Sequence, residues 1–261
     1  MEPLYVIKIG GNIIDDEAKL SSFLTAFAGI EGKKILVHGG GKLATKLAAQ
    51  LGVEQQMIEG RRVTDVDTLR IVTMVYAGYI NKNIVAHLQA NQCNAIGLCG
   101  ADGNILQSHK RHHATIDYGF VGDVDKVNTP VLQSLLAQQV TVVMAPITHN
   151  MEGQLLNTNA DTIAQEIAQA MCAHYQVHLI YSFEKAGVLL NADDDSTVIP
   201  AITQASYAEL KQQTIIFAGM IPKLDNAFAA LNRGVHRVVI GKAEQLQQLI
   251  HQQSGTSIIH E

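Results

Sequence analysis

The amino-acid sequence predicts an α/β protein with an open, mostly parallel, doubly wound sheet that carries helices on both faces. Short apolar runs rich in β-branched residues alternate along the chain with longer segments of helical periodicity. The runs are apolar throughout, as expected of strands that are covered on both faces. A repeated strand–helix order of this kind is typical of the doubly wound class.

Each element follows from its local pattern. The predicted strands of the sheet are residues 4–9, 34–37, 95–98, 140–145, 177–181 and 237–240. The predicted helices are residues 16–28, 41–51, 65–91, 129–138, 161–173, 207–212, 223–232 and 244–251. Several of these helices follow a glycine or a short polar residue that can cap them.

The segment around residues 97–125 differs in composition from the rest of the chain. Residues 100–104 form a predicted turn, and the short runs 105–107 and 114–116 are predicted to form a β-hairpin that decorates the sheet. Flexible linkers and repeats are absent from the sequence. We therefore expect two lobes on one continuous sheet, residues 1–173 and residues 174–261.

Composition limits the classes of function. With 47% hydrophobic residues and a net charge of −5, the 261-residue chain can bury a core but lacks a basic, aromatic-rich stripe for nucleic acid. Its apolar runs are too short to cross a bilayer and its N-terminus lacks a signal peptide, so we expect a cytoplasmic protein without a membrane partner. The three cysteines, Cys93, Cys99 and Cys172, show no C-x-x-C spacing and are predicted to be reduced core residues.

Two glycine groups lie at predicted strand ends. Gly10 and Gly11 end the first strand, and Gly39, Gly40 and Gly41 follow the second strand directly ahead of a helix. Ligands of open α/β sheets bind outside the carboxyl ends of the strands, where glycine lets backbone N–H groups approach a phosphate. Neither group has the dinucleotide-binding or P-loop spacing. Each group taken alone is equally compatible with a tight turn.

Two lysines occupy places that favour an anion. Lys8 lies near the end of a buried strand between Ile7 and Ile9, where an ammonium is costly unless an anion meets it or it snorkels to water. Lys223 opens a predicted helix, whose N-terminus itself favours negative charge. Together they indicate one polyanionic ligand.

A polar segment precedes the helix predicted at residues 161–173. Asp161 at its start is compatible with a helix cap, and also with a carboxylate that holds both lysines in position. Asn157 and Asn159 add amide donors and acceptors that can read a small polar substrate.

In their joint order, these motifs resemble the amino acid kinase family over nearly the whole chain. The pieces that carry the resemblance are Lys8-Ile9-Gly10-Gly11, Val37-His38-Gly39-Gly40-Gly41, Arg62-Val63-Thr64-Asp65, residues 97–103, Phe120-Val121-Gly122-Asp123-Val124, Asn157-Thr158-Asn159-Ala160-Asp161 and Gly219-Met220-Ile221-Pro222-Lys223. Within the family, the pattern is similar to that of the member that phosphorylates the side-chain carboxylate of an N-acylated glutamate during arginine synthesis.

The resemblance implies catalytic roles for three residues. Lys8 and Lys223 would stabilise the transferring phosphoryl group, and Asp161 would organise the two lysines. Backbone N–H groups of Gly10, Gly11 and Gly40 would serve phosphate oxygens of ATP.

The resemblance also divides the binding residues between the lobes. In the first lobe, which would also form the dimer contact, the N-acylglutamate substrate would be bound by Gly40, Gly41, Arg62 and Asn157. In the second, the nucleotide would be bound by Ser182, Phe183, Gly187, Gly219 and Lys223. Arg62 would pair with the substrate α-carboxylate, for which its planar fork is well suited.

The chemistry requires no general base. A substrate carboxylate with a pKa of about 4.3 is already ionised at neutral pH. Positioning and charge neutralisation by lysines, glycine N–H groups and Mg²⁺ are then sufficient. We expect Mg²⁺ to be bound mainly through nucleotide oxygens, and we predict no protein metal ligand.

Two departures from the family pattern affect specificity. Phe183 replaces an aspartate near the nucleotide, so adenine binding could involve stacking on this ring, although Phe183 also suits an ordinary core position. Arg61 replaces a leucine beside Arg62, and with the basic run at residues 109–113 it motivates the hypothesis that the acyl group carries its own carboxylate, as succinyl would.

The resemblance further implies a homodimer that is insensitive to arginine, because the chain lacks an extra N-terminal helix. The apolar residues of the helix at 65–91 suit either a two-fold interface or the core. Two alternatives stay open: a sister activity such as glutamate 5-kinase, aspartokinase or carbamate kinase, and a non-catalytic nucleotide or amino-acid sensor.

Overall fold

A computed structural model describes residues 1–58, 61–216 and 220–260. Its strands are, in chain order, β1 (Pro3–Ile9), β2 (Lys33–His38), β3 (Met57–Ile58), β4 (Arg61–Arg62), β5 (Ala95–Leu98), β6 (Leu106–Lys110), β7 (Gly122–Val127), β8 (Thr141–Met144), β9 (Ile147–His149), β10 (Leu155–Asn157), β11 (Gln176–Phe183), β12 (Ala201–Ile202), β13 (Arg237–Lys242) and β14 (Thr256–Ile258). Eight of them form the central sheet in the order β12-β14-β13-β11-β1-β2-β8-β5. Every neighbouring pair is parallel except β13 and β14, which confirms the predicted open, mostly parallel sheet.

Helices cover both faces of this sheet. The α-helices of the described residues are α1 (Gly11–Ile14), α2 (Glu17–Ala28), α3 (Gly41–Gln50), α4 (Val66–Thr73), α5 (Asn81–Ala90), α6 (Thr129–Ala137), α7 (Ala160–Met171), α8 (Gln204–Gln212), α9 (Ile221–Asn232) and α10 (Leu246–Ile250). Short 3₁₀ turns lie at Asp102–Asn104, Asp195–Thr197 and Ala243–Gln245. No helix within these ranges is both long and apolar enough to cross a bilayer.

The two faces of β1 belong to two different cores. Leu4 and Val6 pack in the core formed with α6, α7, α8 and α9, whereas Ile7 and Ile9 pack in the core formed with α2 to α5 and α10. Side chains alternate along a strand, so Lys8 continues the set of Leu4 and Val6. This alternation puts the Lys8 ammonium on the face that carries the N-terminus of α7.

The helix predicted at residues 65–91 is continuous but not uniform. A π-helix at Met74–Ile80 separates α4 from α5. π-Helical turns are rare and frequently lie at functional sites. Here the turn carries Tyr76 and Ile80, which pack against the glycine loop described below.

The predicted decoration is a separate four-stranded sheet in the order β10-β9-β6-β7. The prediction of a strand at residues 114–116 is wrong, because the partner of β6 is β7, further along the chain. Asp117 Oδ1 accepts a hydrogen bond from the Gly119 N–H at 2.9 Å, and Gly119 forms a bridge with Thr64. The chain therefore makes a loop here before it returns as β7.

The start of α8 differs slightly from the prediction. α8 begins at Gln204, three residues before the predicted start, because the side chains of Thr203 and Ser206 form a capping box. The division into lobes at residue 173 remains a prediction. β11 pairs directly with β1, so strands from both expected lobes lie in one sheet.

Candidate active site

The carboxyl ends of β1, β2 and β11 meet at the centre of the main sheet. Ile9 at the end of β1 pairs with His38 of β2 on one side and with Ser182 of β11 on the other. Gly10 and Gly39 continue the pattern, since the Gly10 N–H donates to the Ser182 carbonyl and the Gly39 N–H donates to the Ile9 carbonyl, both at 3.2 Å. This register brings the two predicted glycine groups side by side.

The second glycine group requires glycine at Gly40. Its φ of +147° lies outside the range of ordinary side chains, and an added Cβ would come within 2.2 Å of Ile80 Cδ1 and 3.2 Å of Tyr76 Cδ1. α3 then begins at Gly41. The π-helical turn and Gly40 thus fit together and hold the loop close to the end of β1.

Lys8, Asp161 and Lys223 form one buried ionic cluster. Lys8 Nζ lies 2.7 Å from Asp161 Oδ1, and Lys223 Nζ lies 2.8 Å from Asp161 Oδ2. Each carboxylate oxygen therefore takes one lysine. The three side chains are only 11%, 14% and 22% exposed for Lys8, Asp161 and Lys223, so the cluster is largely shielded from water.

Asn159, and not Asp161, caps α7. The Asn159 side chain accepts hydrogen bonds from the N–H groups of Asp161 at 2.8 Å and Thr162 at 3.2 Å. This frees the Asp161 carboxylate for the lysines, and of the two readings of Asp161 left open by the sequence, the geometry matches the second.

The ionisation states of the cluster depend on each other. Burial alone would raise the pKa of Asp161, but the charges of Lys8 and Lys223 together hold that pKa well below its usual range. Burial lowers the pKa of Lys8, while the Asp161 carboxylate opposes that change. One carboxylate thus keeps two ammonium groups close together, and the cluster carries a net positive charge.

A polar cavity of about 250 Å³ opens on one side of the cluster. It is lined by Lys8, Gly11, Gly39, Gly40, Gly41, Met57, Arg61, Arg62, Tyr76, Arg111, Val121, Pro146, Asn157, Thr158, Asn159, Ala160 and Asp161. The structure thus brings every residue predicted to bind the amino-acid substrate, namely Gly40, Gly41, Arg62 and Asn157, to one cavity beside Lys8 and Asp161.

Arg62 is buried in this cavity wall without a carboxylate partner among the described residues. Its Nη2 donates to the Gly41 carbonyl and to Thr45 Oγ1, both at 2.9 Å, and its Nη1 donates to the Gln55 side chain. Neutral oxygens fix the guanidinium but do not balance its charge. A buried arginine held in this way favours an anionic ligand.

Asn157 lies across the cavity on β10. Its Nδ2 donates to Thr64 Oγ1 at 3.0 Å, and its backbone N–H donates to the Phe120 carbonyl at 2.8 Å. These bonds fix the orientation of the side-chain amide. Thr64 in turn lies two residues beyond Arg62, so the two sides of the cavity are connected.

Tyr76 and Arg111 are among the residues of this cavity that were not predicted individually. Tyr76 reaches it from the π-helical turn, which helical periodicity does not reveal. Arg111 reaches it from the loop after β6, and its guanidinium pairs with Asp123. The only signal for Arg111 in the sequence was the basic run at residues 109–113.

A second, more apolar cavity of about 210 Å³ lies on the other side of the cluster. It is lined by Phe183, Glu184, Lys185, Gly187, Val188, Leu189, Ala192, Ile215, Ile216, Met220 and Lys223. Lys223 therefore lines this cavity while it binds Asp161, which lines the first one. The ionic cluster lies at the junction of the two cavities.

Only some of the residues predicted to bind nucleotide line this apolar cavity. Phe183, Gly187 and Lys223 line the apolar cavity, whereas Ser182 does not and is buried at the end of β11. Gly187 is needed for packing, since an added Cβ would come within 2.7 Å of Thr256 Oγ1. Gly219 lies outside the described residues.

Histidines and potential metal ligands contribute little to this site. His38 is fully buried, its Nδ1–H donates to the Gly39 carbonyl at 2.8 Å, and its Nε2 accepts from Asn81 Nδ2 at 3.2 Å. Burial lowers the pKa of His38 to about 4. Within residues 1–58, 61–216 and 220–260, no group of three or more His, Cys, Asp or Glu side chains is arranged to hold a metal ion.

A doubly wound sheet with glycine loops and lysines at the carboxyl ends of its central strands is typical of enzymes that bind phosphorylated ligands there. The chain belongs to the amino acid kinase family, which residues 3–242 match. This membership confirms the family predicted from the motifs.

Two individual relatives within the family are similar to this chain over nearly its whole length. The chain is 55% identical over 262 residues to a protein of Cytophaga hutchinsonii named acetylglutamate kinase, covering 99% of each chain. It is 54% identical over 258 residues to the protein of the same name from Parabacteroides distasonis, covering 99% of this chain and 100% of that one.

A solved structure shares the fold. N-acetylglutamate synthase from Neisseria gonorrhoeae, complexed with coenzyme A and N-acetyl-glutamate, superposes with a TM-score of 0.85 at 23% sequence identity. The match covers all of this chain and 60% of that longer chain. At this level of identity the likeness concerns the fold alone.

Proposed function

We propose that this chain transfers the γ-phosphoryl group of ATP to the side-chain carboxylate of N-acetylglutamate, or of another N-acylglutamate such as N-succinylglutamate, in arginine biosynthesis. The observation that carries the proposal is the Lys8–Asp161–Lys223 cluster at the junction of a polar and an apolar cavity. Relatives at 54–55% identity named acetylglutamate kinase support the substrate class.

The reaction is a single displacement at phosphorus. One oxygen of the ionised γ-carboxylate attacks the γ-phosphorus of ATP, the bond to the β–γ bridging oxygen breaks, and that oxygen leaves with the electron pair as part of ADP. The products are an acyl phosphate and ADP, and no proton moves. Lys8 and Lys223 stabilise the charge on the transferring group, and Asp161 keeps both ammonium groups in place.

Arg62 binds the α-carboxylate of the substrate. Its fixed guanidinium has neutral partners only, among the described residues, so a substrate carboxylate supplies the missing negative charge. Asn157 binds the substrate amide with the side-chain groups that Thr64 leaves available. Backbone N–H groups of Gly10, Gly11 and Gly40 bind phosphate oxygens.

The apolar cavity receives the adenosine part of ATP. Phe183 at its wall offers a ring for the base, and Lys223 at its inner end reaches the phosphates. Because Asp161 is occupied by two lysines, Mg²⁺ would be held mainly by nucleotide phosphate oxygens and would supply positive charge there.

An enzyme that uses ATP is expected in the cytoplasm.

A homodimer is expected from the exposed side of the long helix at residues 66–90. Met74 and Tyr79 of the π-helical turn and Val66 of α4 are large apolar residues that remain exposed in the single chain. A second copy of this chain packed along that helix would cover them. Analytical ultracentrifugation of the wild type and of Tyr79→Glu tests this, and a wild-type monomer at micromolar concentration would contradict it.

A hydroxamate assay tests the function itself. Purified protein is incubated with ATP, MgCl₂ and an N-acylglutamate, and hydroxylamine traps the acyl phosphate as a hydroxamate. The proposal expects hydroxamate and ADP in equal amounts. Product from free glutamate, aspartate or carbamate in place of N-acylglutamate would indicate a sister activity, and nucleotide binding without any product would indicate a sensor.

A further inference from the structure

The polar cavity contains more positive charge than N-acetylglutamate can balance. In the proposed reaction, the γ-carboxylate lies at Lys8 and the α-carboxylate lies at Arg62. Two further guanidinium groups, of Arg61 and Arg111, line the same cavity. Of the two, Arg111 pairs with the Asp123 carboxylate.

Arg61 and Arg111 both affect the ionisation of Asp123. Burial raises the pKa of Asp123, but Arg111, together with smaller contributions from His109 and Arg61, holds it below its usual value. Two guanidinium groups therefore share one carboxylate. Arg61 forms no ion pair with any described residue, so this end of the cavity carries a surplus positive charge.

Arg111 is held firmly before any ligand arrives. Its Nε donates to both carboxylate oxygens of Asp123, at 3.0 and 3.1 Å, and its guanidinium carbon lies 5.9 Å from the centre of the Tyr118 ring. Its Nη1 is shielded from water and has no hydrogen-bond partner among the described residues. A buried donor of this kind is costly unless a ligand satisfies it.

Asn157 and Val121 line the same cavity as the two arginines. The two residues form a bridge between their backbones. A ligand whose amide contacts Asn157 thus extends its acyl group along Val121 and Met57 toward the two arginines. Those apolar side chains suit methylene groups.

We propose, on the basis of the function proposed above, that the preferred substrate is an N-acylglutamate whose acyl chain ends in a carboxylate, as in N-succinylglutamate. Its three carboxylates match three cationic positions of one cavity: Lys8, Arg62, and Arg61 with Arg111. The terminal carboxylate accepts from Arg61 and Arg111 without taking part in the phosphoryl transfer.

A comparison of three substrates distinguishes the effect of the acyl group's charge from the effect of its size. N-acetylglutamate, N-succinylglutamate and N-succinamoylglutamate are compared by kcat/KM in the hydroxamate assay at saturating ATP. The succinamoyl compound has the size and shape of the succinyl compound but ends in a neutral amide. We expect the succinyl compound to exceed both others by ~10-fold or more, the value of one charge-assisted hydrogen bond.

Two variants test whether the preference for the succinyl compound depends on Arg61. Arg61→Leu is expected to reduce the succinyl-to-succinamoyl ratio of kcat/KM by about threefold or more, since one of the two guanidinium groups that bind the carboxylate is removed. Arg70→Leu is the matched control, because Arg70 is an exposed arginine of α4 that pairs with Asp67 away from the cavity. It should keep the wild-type ratio.

Each other outcome has a defined meaning. Equal rates with the succinyl and succinamoyl compounds, a preference for N-acetylglutamate, or a ratio that survives in Arg61→Leu would overturn the acyl-carboxylate inference and leave the kinase proposal intact. Absence of product from all three compounds would overturn both.

Discussion

The cavities on the two sides of β1 have contrasting linings. On the β2 side, the cavity is lined by glycine backbone, by the buried Arg62 and by the further cations Arg61 and Arg111. On the β11 side, the cavity is lined mainly by apolar side chains such as Phe183 and Ile216. Under the proposed function, the amino acid would be selected by charge and the nucleotide base by shape and apolar contact.

Lys8 lies on the strand between these two sides, so its removal should have the largest effect. Lys8→Ala is expected to lower kcat by ~10² or more, because the ammonium stabilises charge that develops in the transition state. The fold should persist, since Asp161 keeps Lys223 as its partner.

Steady-state kinetics with N-acylglutamate and a thermal melt provide the measurement. Lys126→Ala, at an exposed lysine of β7, is the control and should behave as wild type. Wild-type turnover in Lys8→Ala would contradict the assigned role.

The charge-selective side should also be sensitive to acid. The pKa of His38 is about 4 in the folded protein, against 6.5 for an unperturbed histidine, because burial disfavours the imidazolium. The unfolded chain therefore binds more protons between these values. His38 contributes fully to stability above pH 6.5, and up to about 3 kcal/mol is lost as pH falls from 6.5 to 4.

Urea unfolding at pH 7.5 and pH 4.5 measures this loss. His178, whose pKa burial also lowers to about 4, contributes in the same window. His38→Gln should therefore lessen the difference between the two pH values without abolishing it. An unchanged wild-type free energy of unfolding across this range would show that His38 is not buried in its neutral form.

Arg62 offers a more selective test of the polar cavity. Arg62→Lys is expected to raise KM for the N-acylglutamate by ~10-fold, because a lysine keeps the charge but loses the planar fork and its bonds to Gly41 and Thr45. KM for ATP should stay within about twofold. A parallel rise in both constants would indicate that the two cavities do not act separately.

Phe183 tests the apolar cavity and should give the smallest effect. Phe183→Leu is expected to raise KM for ATP by ~3-fold through the loss of a stacking surface, with KM for the amino acid unchanged. The ring also belongs to the core, where it is 8% exposed. A lower melting temperature with an unchanged KM for ATP would mean that Phe183 serves packing alone.

Local patterns were sufficient to predict the framework of the molecule. Buried strands read as apolar runs, and the glycine groups lie at strand ends, so the place of the site follows once the strands are parallel. The neighbouring positions of Gly10 and Gly39 then result from the order β11-β1-β2. The convergence of Lys8 and Lys223 was inferred because each alone lacked an anion.

Features that depend on distant contacts could not be predicted in this way. The π-helix at Met74–Ile80 has the same residue types as an α-helix, and its position next to Gly40 is a matter of tertiary packing. In the sequence, Arg111 resembles a solvated residue of a basic run. Its ion pair with Asp123, which becomes visible only in the structure, positions it in the cavity wall. The role of Asn159 as the cap of α7 required coordinates, because Asp161 is an equally good cap by type.

A crystal structure with a non-hydrolysable ATP analogue and an N-acylglutamate tests the central claim most directly. The account predicts that Lys8 Nζ and Lys223 Nζ both lie within about 3 Å of oxygens of the γ-phosphate, with Asp161 still between them. A γ-phosphate bound away from either lysine, or a substrate carboxylate that does not face the phosphorus, would contradict it.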